Sequence, residues 1–158
     1  MLTFQIIISQ IAGPEIMFFL CVVVACFLYF QNHRKDFFKI FFASTTAMFI
    51  ALIAKYLFHI ARPAHMLVAE TGYGFPSGHA TMAGVVMTLG IAYAHTHIKR
   101  KHIQYGIYGI SVLWLVLVGY SRLYLQVHYP IDVIAGGIIG ILSTITVLKI
   151  FKHFHYYK

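Results

Sequence analysis

Charged side chains are scarce in this sequence. Only 10% of its 158 residues are charged and just four are acidic, whereas 60% are hydrophobic. A soluble domain of this length would carry many more charges on its surface. The scarcity excludes an ordinary soluble protein and favours a chain divided among membrane-spanning helices of about 20 residues each.

Cysteines are also few. The two cysteines, Cys21 and Cys26, lie five residues apart in one apolar run, so they face different sides of a helix. They form neither a disulfide framework nor a metal site. The first residues contain no basic segment and no A-x-A pattern, so we expect no cleavable signal peptide.

Basic residues outnumber acidic ones, which gives the chain a net charge of +8. Most of them lie at the ends of apolar runs, where anionic lipid head groups are the natural counter-charge. No basic run is interleaved with polar residues in the manner of a nucleic-acid-binding groove. We therefore expect the lipid bilayer as a partner, and no nucleic acid.

Five apolar segments predict five transmembrane helices, at about residues 14–30, 37–61, 79–95, 105–122 and 131–151. Residues 1–12 are too short to span a bilayer and predict an interfacial or re-entrant helix, with a disordered lead-in as the alternative. Gly136 and Gly140 form a G-x-x-x-G pair that indicates close helix packing. We expect an all-α integral membrane protein, a helical bundle forming one membrane-embedded domain over residues 1–158.

The basic residues also predict an orientation, because cytoplasmic connections are rich in lysine and arginine. Nine of the twelve then lie on the cytoplasmic side: Arg34, Lys35, Lys39, Lys99, Arg100, Lys101, Lys149, Lys152 and Lys158. The other three, Lys55, Arg62 and Arg122, fall on the opposite face, where positive charge needs a specific reason.

Ionisable groups at the ends of membrane helices are costly and usually functional. Lys55 and Arg62 are seven residues apart, so we expect them on one face of the second span near its outer end. The predicted topology brings further polar residues to the same membrane face, namely His79, Arg122, His128 and Asp132. Three permanent cations beside one carboxylate and two histidines suit a compact dianion, because guanidinium groups match phosphate oxygens bidentately.

The stretch "PSGH", residues 76–79, adds a helix start to this cluster. Ser77 is a suitable N-cap, and Gly78 lets an anion approach the free N–H groups closely. Two histidines then indicate covalent phosphoryl transfer. Asp132, one turn beyond His128, is placed to orient its imidazole, and His79 is the candidate for proton transfer to the leaving oxygen.

Three segments together resemble the signature of the type 2 phosphatidic acid phosphatase superfamily, which includes glucose-6-phosphatase and vanadium haloperoxidases. "KYLFHIARP" at 55–63 fits K-x6-R-P, "PSGH" at 76–79 fits unchanged, and "SRLYLQVHYPID" at 121–132 fits S-R-x5-H-x3-D. One segment alone would be a weak match, but all three in order are specific. The commoner membrane members have six spans, so the short N-terminal segment is expected to replace one.

The resemblance implies a role for each matched residue. His128 becomes phosphorylated, Asp132 supports it, and His79 is the acid and base. The phosphate is held by Lys55, Arg62, Ser77, Gly78 and Arg122. The resemblance further implies that no metal or other cofactor is needed.

These observations predict a lipid phosphate or diphosphate phosphatase of the bacterial cytoplasmic membrane, with its active site facing the cell exterior or periplasm. The short outer connections provide no soluble cap, so we expect a lipid substrate. Undecaprenyl diphosphate is the first choice, followed by phosphatidylglycerophosphate, phosphatidic acid and lipid A phosphates. A vanadate-dependent haloperoxidase and a non-catalytic lipid-phosphate binder or flippase are the alternatives.

Overall fold

A computed structural model describes residues 1–156, with side chains to residue 153, and every regular element in that range is an α-helix. The helices are α1 (Leu2–Ile11), α2 (Pro14–Phe30), α3 (Arg34–Phe58), α4 (Gly78–His97), α5 (Lys101–Tyr124) and α6 (Pro130–Tyr156). The predicted all-α bundle with a short N-terminal helix is confirmed. Lys158, counted above among the cytoplasmic basic residues, lies outside the described residues.

Three helices, α3, α5 and the first 24 residues of α6, are each long and apolar enough to cross a membrane. The α1 and α2 pair meets the same criterion when taken together and bends by 44° between its two helices. Helix α4 has 20 residues but is less apolar. It packs against α2, α3, α5 and α6 at the centre of the bundle, so much of its surface faces protein rather than lipid. This explains why its small and polar residues are tolerated.

The end of α3 differs from the sequence-based expectation. The predicted span reaches residue 61, whereas the helix ends at Phe58 and His59 adopts a left-handed conformation with φ of 51°. The residue preceding a proline is biased away from helical geometry, and Pro63 restricts Arg62 in this way. The prediction that Lys55 and Arg62 share one helix face is therefore wrong, because Arg62 lies in the connection formed by residues 59–77.

Helices α4 and α6 touch backbone to backbone. A Cβ atom added at Gly84 would lie 2.7 Å from the carbonyl oxygen of Gly137. Cβ atoms at Gly136 and Gly140 would collide with the carbonyl oxygens of Ser77 and Thr81. The close packing predicted from the G-x-x-x-G pair is confirmed, and it fixes the start of α4 against the start of α6.

Gly140→Ala should destabilise the protein by about 1–3 kcal/mol, the usual cost of overpacking, because the added methyl group meets main-chain atoms that cannot move aside. Gly106→Ala on α5 is the matched control, since no atom lies within 4 Å of its added Cβ. It should leave stability unchanged or raise it by up to about 1 kcal/mol through helix propensity. Thermal unfolding of both variants in detergent tests this, and equal midpoints would contradict the packing described here.

Candidate active site

The predicted site residues gather at one end of the bundle, around a cavity of about 320 Å³. Five of the eight predicted residues line it directly: Lys55, Arg62, Gly78, His79 and His128. The other three, Ser77, Arg122 and Asp132, are buried behind the wall and contact residues near it. The remaining lining residues are Pro14, Glu15, Leu52, Tyr56, Glu70, Thr71, Gly72 and Tyr73.

His128 lies in the short connection before α6, and its two ring nitrogens face different partners. Nδ1 is 3.4 Å from Oδ2 of Asp132, whereas Nε2 is 3.2 Å from Nη1 of Arg62. Asp132 is completely buried, and its Oδ2 also accepts a hydrogen bond of 2.9 Å from the main-chain N–H of Tyr129. The carboxylate is therefore fixed by the first turn of α6, and it orients the imidazole with Nε2 toward the cavity.

Burial first, and then the nearby cations with Arg62 foremost among them, lower the pKa of His128 from 6.5 to about 2. Taking an imidazolium out of water is costly, and Arg62, Arg122 and Lys55 repel it. The imidazole is consequently neutral at physiological pH, which is the form that carries a nucleophilic lone pair.

This lowered pKa makes the stability of the protein depend on pH. Between about pH 6.5 and 2 the unfolded chain binds a proton at His128 that the folded chain does not, so the free energy of unfolding falls as the pH is lowered below 6.5. One such group contributes a slope of up to about 1.4 kcal/mol per pH unit. Thermal midpoints from pH 7.5 to 5 should therefore fall less steeply for His128→Asn than for the wild type. A slope in His128→Asn that equals the wild-type slope would refute the assignment.

Arg62 joins the 59–77 connection to the segment before α6. Its Nε donates to the carbonyl oxygen of Gly72 at 3.2 Å, and its Nη2 donates to that of Thr71 at 3.2 Å. Its Nη1 donates to the carbonyl oxygen of Val127 at 3.0 Å and faces His128. The guanidinium thus reaches the site from a loop, held by main-chain oxygens on both sides, rather than from the end of α3.

Glu70 is the site residue that sequence reasoning missed. Its carboxylate forms an ion pair with the buried guanidinium of Arg122 and lies 3.6 Å from Nη2 of Arg62. The sequence-based prediction counts Asp132 as the one carboxylate beside the three cations, and that count is wrong because Glu70 supplies a further carboxylate. The available signal was that Glu70 is the one acidic residue between α3 and α4.

Helix α1 also contributes to the site, which the sequence did not indicate. Nη1 of Arg122 donates a hydrogen bond to the Ser9 hydroxyl of this helix, and the His79 ring donates to the main chain of Ser9. Lys55 donates to the carbonyl oxygen of Tyr73 at 2.9 Å. The short N-terminal helix therefore helps to position one cation and one histidine of the site.

The "PSGH" stretch begins α4 as predicted. Ser77 is the N-cap, and its Oγ accepts a hydrogen bond of 3.4 Å from the N–H of Ala80. The N–H of Ser77 donates to the main-chain oxygen of Asp132 at 3.0 Å, which ties the starts of α4 and α6 together. Ser77 itself is fully buried, so Gly78 and His79 are the residues of this stretch that line the cavity.

Two buried polar atoms of the site lack a hydrogen-bond partner, Nε of Arg122 and Oδ1 of Asp132. No group of three or more His, Cys, Asp or Glu side chains that could hold a metal ion occurs within the described part of the chain. The wall of the cavity carries the cations of Lys55 and Arg62, two imidazoles and the carboxylates of Glu15 and Glu70, and its cationic donors are suited to an oxyanion.

Comparison with known proteins identifies the family. The PAP2 superfamily profile matches residues 36–156, most of the chain. The crystal structure of the transmembrane PAP2 type phosphatidylglycerolphosphate phosphatase from Bacillus subtilis superposes with a TM-score of 0.82 at 22% identity, over 96% of this chain and 77% of that one. Aquifex aeolicus LpxE superposes with a TM-score of 0.73 at 27% identity, over 94% and 85%. The chain belongs to the PAP2 superfamily, and its fold is that of these membrane proteins.

Named relatives include phosphatases of several lipids. An undecaprenyl-diphosphatase from Sulfolobus acidocaldarius is 32% identical over 125 residues, which are 75% of this chain and 56% of that protein. Phosphatidylglycerophosphatase B from Bacillus subtilis is 30% identical over 139 residues, 85% of this chain and 68% of that protein. The chain thus spans little more than half of the first relative and about two thirds of the second.

Proposed function

We propose that this protein hydrolyses a membrane lipid phosphate or diphosphate through a phosphohistidine intermediate. One observation supports this most strongly: Nε2 of His128 faces the cavity beside Arg62, while Nδ1 faces the buried carboxylate of Asp132. A neutral imidazole oriented by a carboxylate and facing the donors of Arg62 has the features of an activated nucleophile.

In the first step, the Nε2 lone pair of His128 attacks phosphorus, and the bond from phosphorus to the leaving oxygen breaks. His79 donates a proton to that oxygen, which departs as an alcohol or as a lipid monophosphate. Charge on the transferring group is stabilised by Lys55, Arg62 and Arg122, whose side chains are held around the cavity by hydrogen bonds before the reaction.

In the second step, water attacks the phosphorus of phosphorylated His128. His79, now neutral, takes a proton from that water, and the phosphorus–nitrogen bond breaks to release phosphate and regenerate the imidazole. Asp132 stabilises the charge on the ring while it carries the phosphoryl group. Both protons are accounted for by one histidine that acts first as acid and then as base.

The cavity wall supports a lipid substrate. Besides its polar residues, the wall includes Leu52 and Tyr56 of α3, which are 50% and 65% exposed on the outside of the bundle. A phosphate in the cavity can therefore remain attached to a chain that lies in the surrounding bilayer. Among lipid phosphates we propose undecaprenyl diphosphate first, as in the Sulfolobus relative, with phosphatidylglycerophosphate, phosphatidic acid and lipid A phosphates as alternatives.

The placement of basic residues supports an outward-facing site in a bacterial cytoplasmic membrane. The cavity lies at the end of the bundle opposite to the basic starts of α3 and α5 and the basic end of α6. Because cytoplasmic ends are rich in lysine and arginine, this distribution of charge favours a cavity on the periplasmic or external side.

Phosphate release from a panel of purified lipid phosphates and diphosphates tests the proposed function. Wild-type protein should release phosphate from at least one lipid in the panel, and the rates should rank undecaprenyl diphosphate first. His128→Ala should release none from any lipid. Failure of the wild type on every member would refute the phosphatase, whereas a different ranking would refute only the choice of substrate.

Glu70→Gln should bind inorganic phosphate about tenfold more tightly than the wild type. The wild-type carboxylate already occupies Arg122 and approaches Arg62, so an incoming phosphate must compete with it, and a contact between charged groups is worth about 1.5–3 kcal/mol. Product inhibition by orthophosphate measures this affinity. The control is Asp36→Asn at the opposite end of the bundle, which removes the same charge outside the cavity and should change the affinity little. Weaker phosphate binding in Glu70→Gln would show that Glu70 instead holds the arginines in place for the substrate.

A further inference from the structure

A second and larger concavity, the basal groove, lies at the end of the bundle opposite to the catalytic cavity. Its volume is about 1230 Å³, nearly four times that of the catalytic cavity. It is lined by the second halves of α4 and α6 and by the start of α3. Nothing in the proposed reaction uses it.

The floor of the basal groove is apolar. Along α6 it consists of Ile141, Ile145 and Leu148, which recur every three or four residues and so form one stripe. Along α4 the facing wall includes Ile91 and Ala92. All five side chains are partly exposed, so this stripe is not sealed by the bundle itself. An apolar surface of this kind in a membrane-spanning segment is covered by hydrocarbon chains.

The rim of the groove is cationic. Lys35, Lys39 and Lys152 line it, and no acidic side chain does so within the described residues. Lys39 is paired with Asp36 at 2.8 Å, and Lys35 and Lys152 complete the lysine rim. Basic pockets between membrane helices, at the level of the head groups, attract anionic lipids, at about 1 kcal/mol per basic residue.

We propose that the basal groove binds an anionic phospholipid of the bilayer, with its acyl chain on the apolar floor and its phosphate at the lysine rim. The lysine rim favours an anionic head group because the charges are complementary. The groove between the helices suits an acyl chain rather than a second protein. The site is separate from the catalytic cavity, so this proposal does not depend on the proposed reaction.

Native mass spectrometry of the purified full-length protein in neutral detergent tests the proposal, with phosphatidylglycerol or phosphatidylcholine as the probe. Wild-type protein should retain phosphatidylglycerol and not phosphatidylcholine. Lys35→Gln combined with Lys152→Gln should weaken that binding about 30-fold, from about 1 kcal/mol per lysine at 1.4 kcal/mol per tenfold change. Lys99→Gln combined with Arg100→Gln removes the same charge at the same end but outside the groove, and it should retain wild-type binding.

A third variant tests the apolar floor without changing charge. Ala92→Trp fills the groove from α4 and should abolish retention of phosphatidylglycerol while the lysines remain. Equal weakening of phosphatidylglycerol binding in the two double variants would show that the lipid is attracted to the basic end of the bundle in general. Equal retention of phosphatidylglycerol and phosphatidylcholine by the wild type would show that the head group is not recognised. Either result would overturn the proposal, as would unchanged binding in a folded Ala92→Trp variant.

Discussion

His128→Ala should lower phosphate release from the preferred lipid by about 10⁵-fold or more, the scale seen when a covalent nucleophile is removed from an enzyme. No other side chain described here combines a nitrogen facing the cavity with a buried carboxylate at its second nitrogen. The remaining cations can still bind a phosphate, so substrate binding should survive while turnover is lost. Phosphate release and binding of an unhydrolysed substrate, measured on the same preparation, separate the two effects.

The matched control for this prediction is His59→Ala. His59 is an exposed histidine at the same end of the bundle, and its ring packs edge-on against Tyr73, at 4.6 Å between centroids, without lining the cavity. This variant should retain activity within a few fold. Substantial turnover by a folded His128→Ala protein, or equal losses in both variants, would rule out His128 as the nucleophile.

The second large effect is expected for His79→Asn, and its size should depend on the leaving group. General acid catalysis is worth about 10²–10⁴-fold, and it matters most when the departing oxygen is strongly basic. Hydrolysis of an alkyl monoester lipid should therefore fall by about that factor. Hydrolysis of an aryl phosphate, whose leaving phenolate needs no proton, should lose much less in its first step.

The same variant should also reveal the second step, since His79 is proposed to activate the water. With an aryl phosphate, His79→Asn should release a burst of phenolate equal to the amount of enzyme, followed by slow turnover while the phosphohistidine awaits hydrolysis. Rapid-mixing absorbance measurements follow this directly. An identical loss for alkyl and aryl substrates, with no burst, would assign His79 a role in binding and not in proton transfer.

Much of this arrangement could be predicted from the sequence because the relevant signals are local. Apolar runs give the helices, since the bilayer fixes their length and composition. The spacing of His128 and Asp132 places them one turn apart, and "PSGH" has the residue types of a capped helix start. The G-x-x-x-G pair predicts the close contact at α6 because only glycine permits it.

The features that sequence reasoning missed are long-range contacts. Arg62 reaches the site from a loop, and its position depends on carbonyl oxygens of Thr71, Gly72 and Val127 that no motif specifies. Glu70 pairs with Arg122 across more than fifty residues of chain, and Ser9 reaches the same guanidinium from the N-terminal helix. Side-chain pairing at such separations follows from how helices pack, which composition and periodicity do not determine.

The most direct test of the central claim is to trap the intermediate and locate the phosphoryl group. An aryl phosphate labelled in its phosphate group, whose leaving phenolate needs no proton from His79, is mixed with His79→Asn protein, quenched in base, digested and analysed by mass spectrometry. We predict a single phosphorylated histidine, His128, modified at Nε2, because Nδ1 faces Asp132 and Nε2 faces the cavity. Phosphate on His79, phosphate at Nδ1 of His128, or complete turnover with no labelled protein would contradict it.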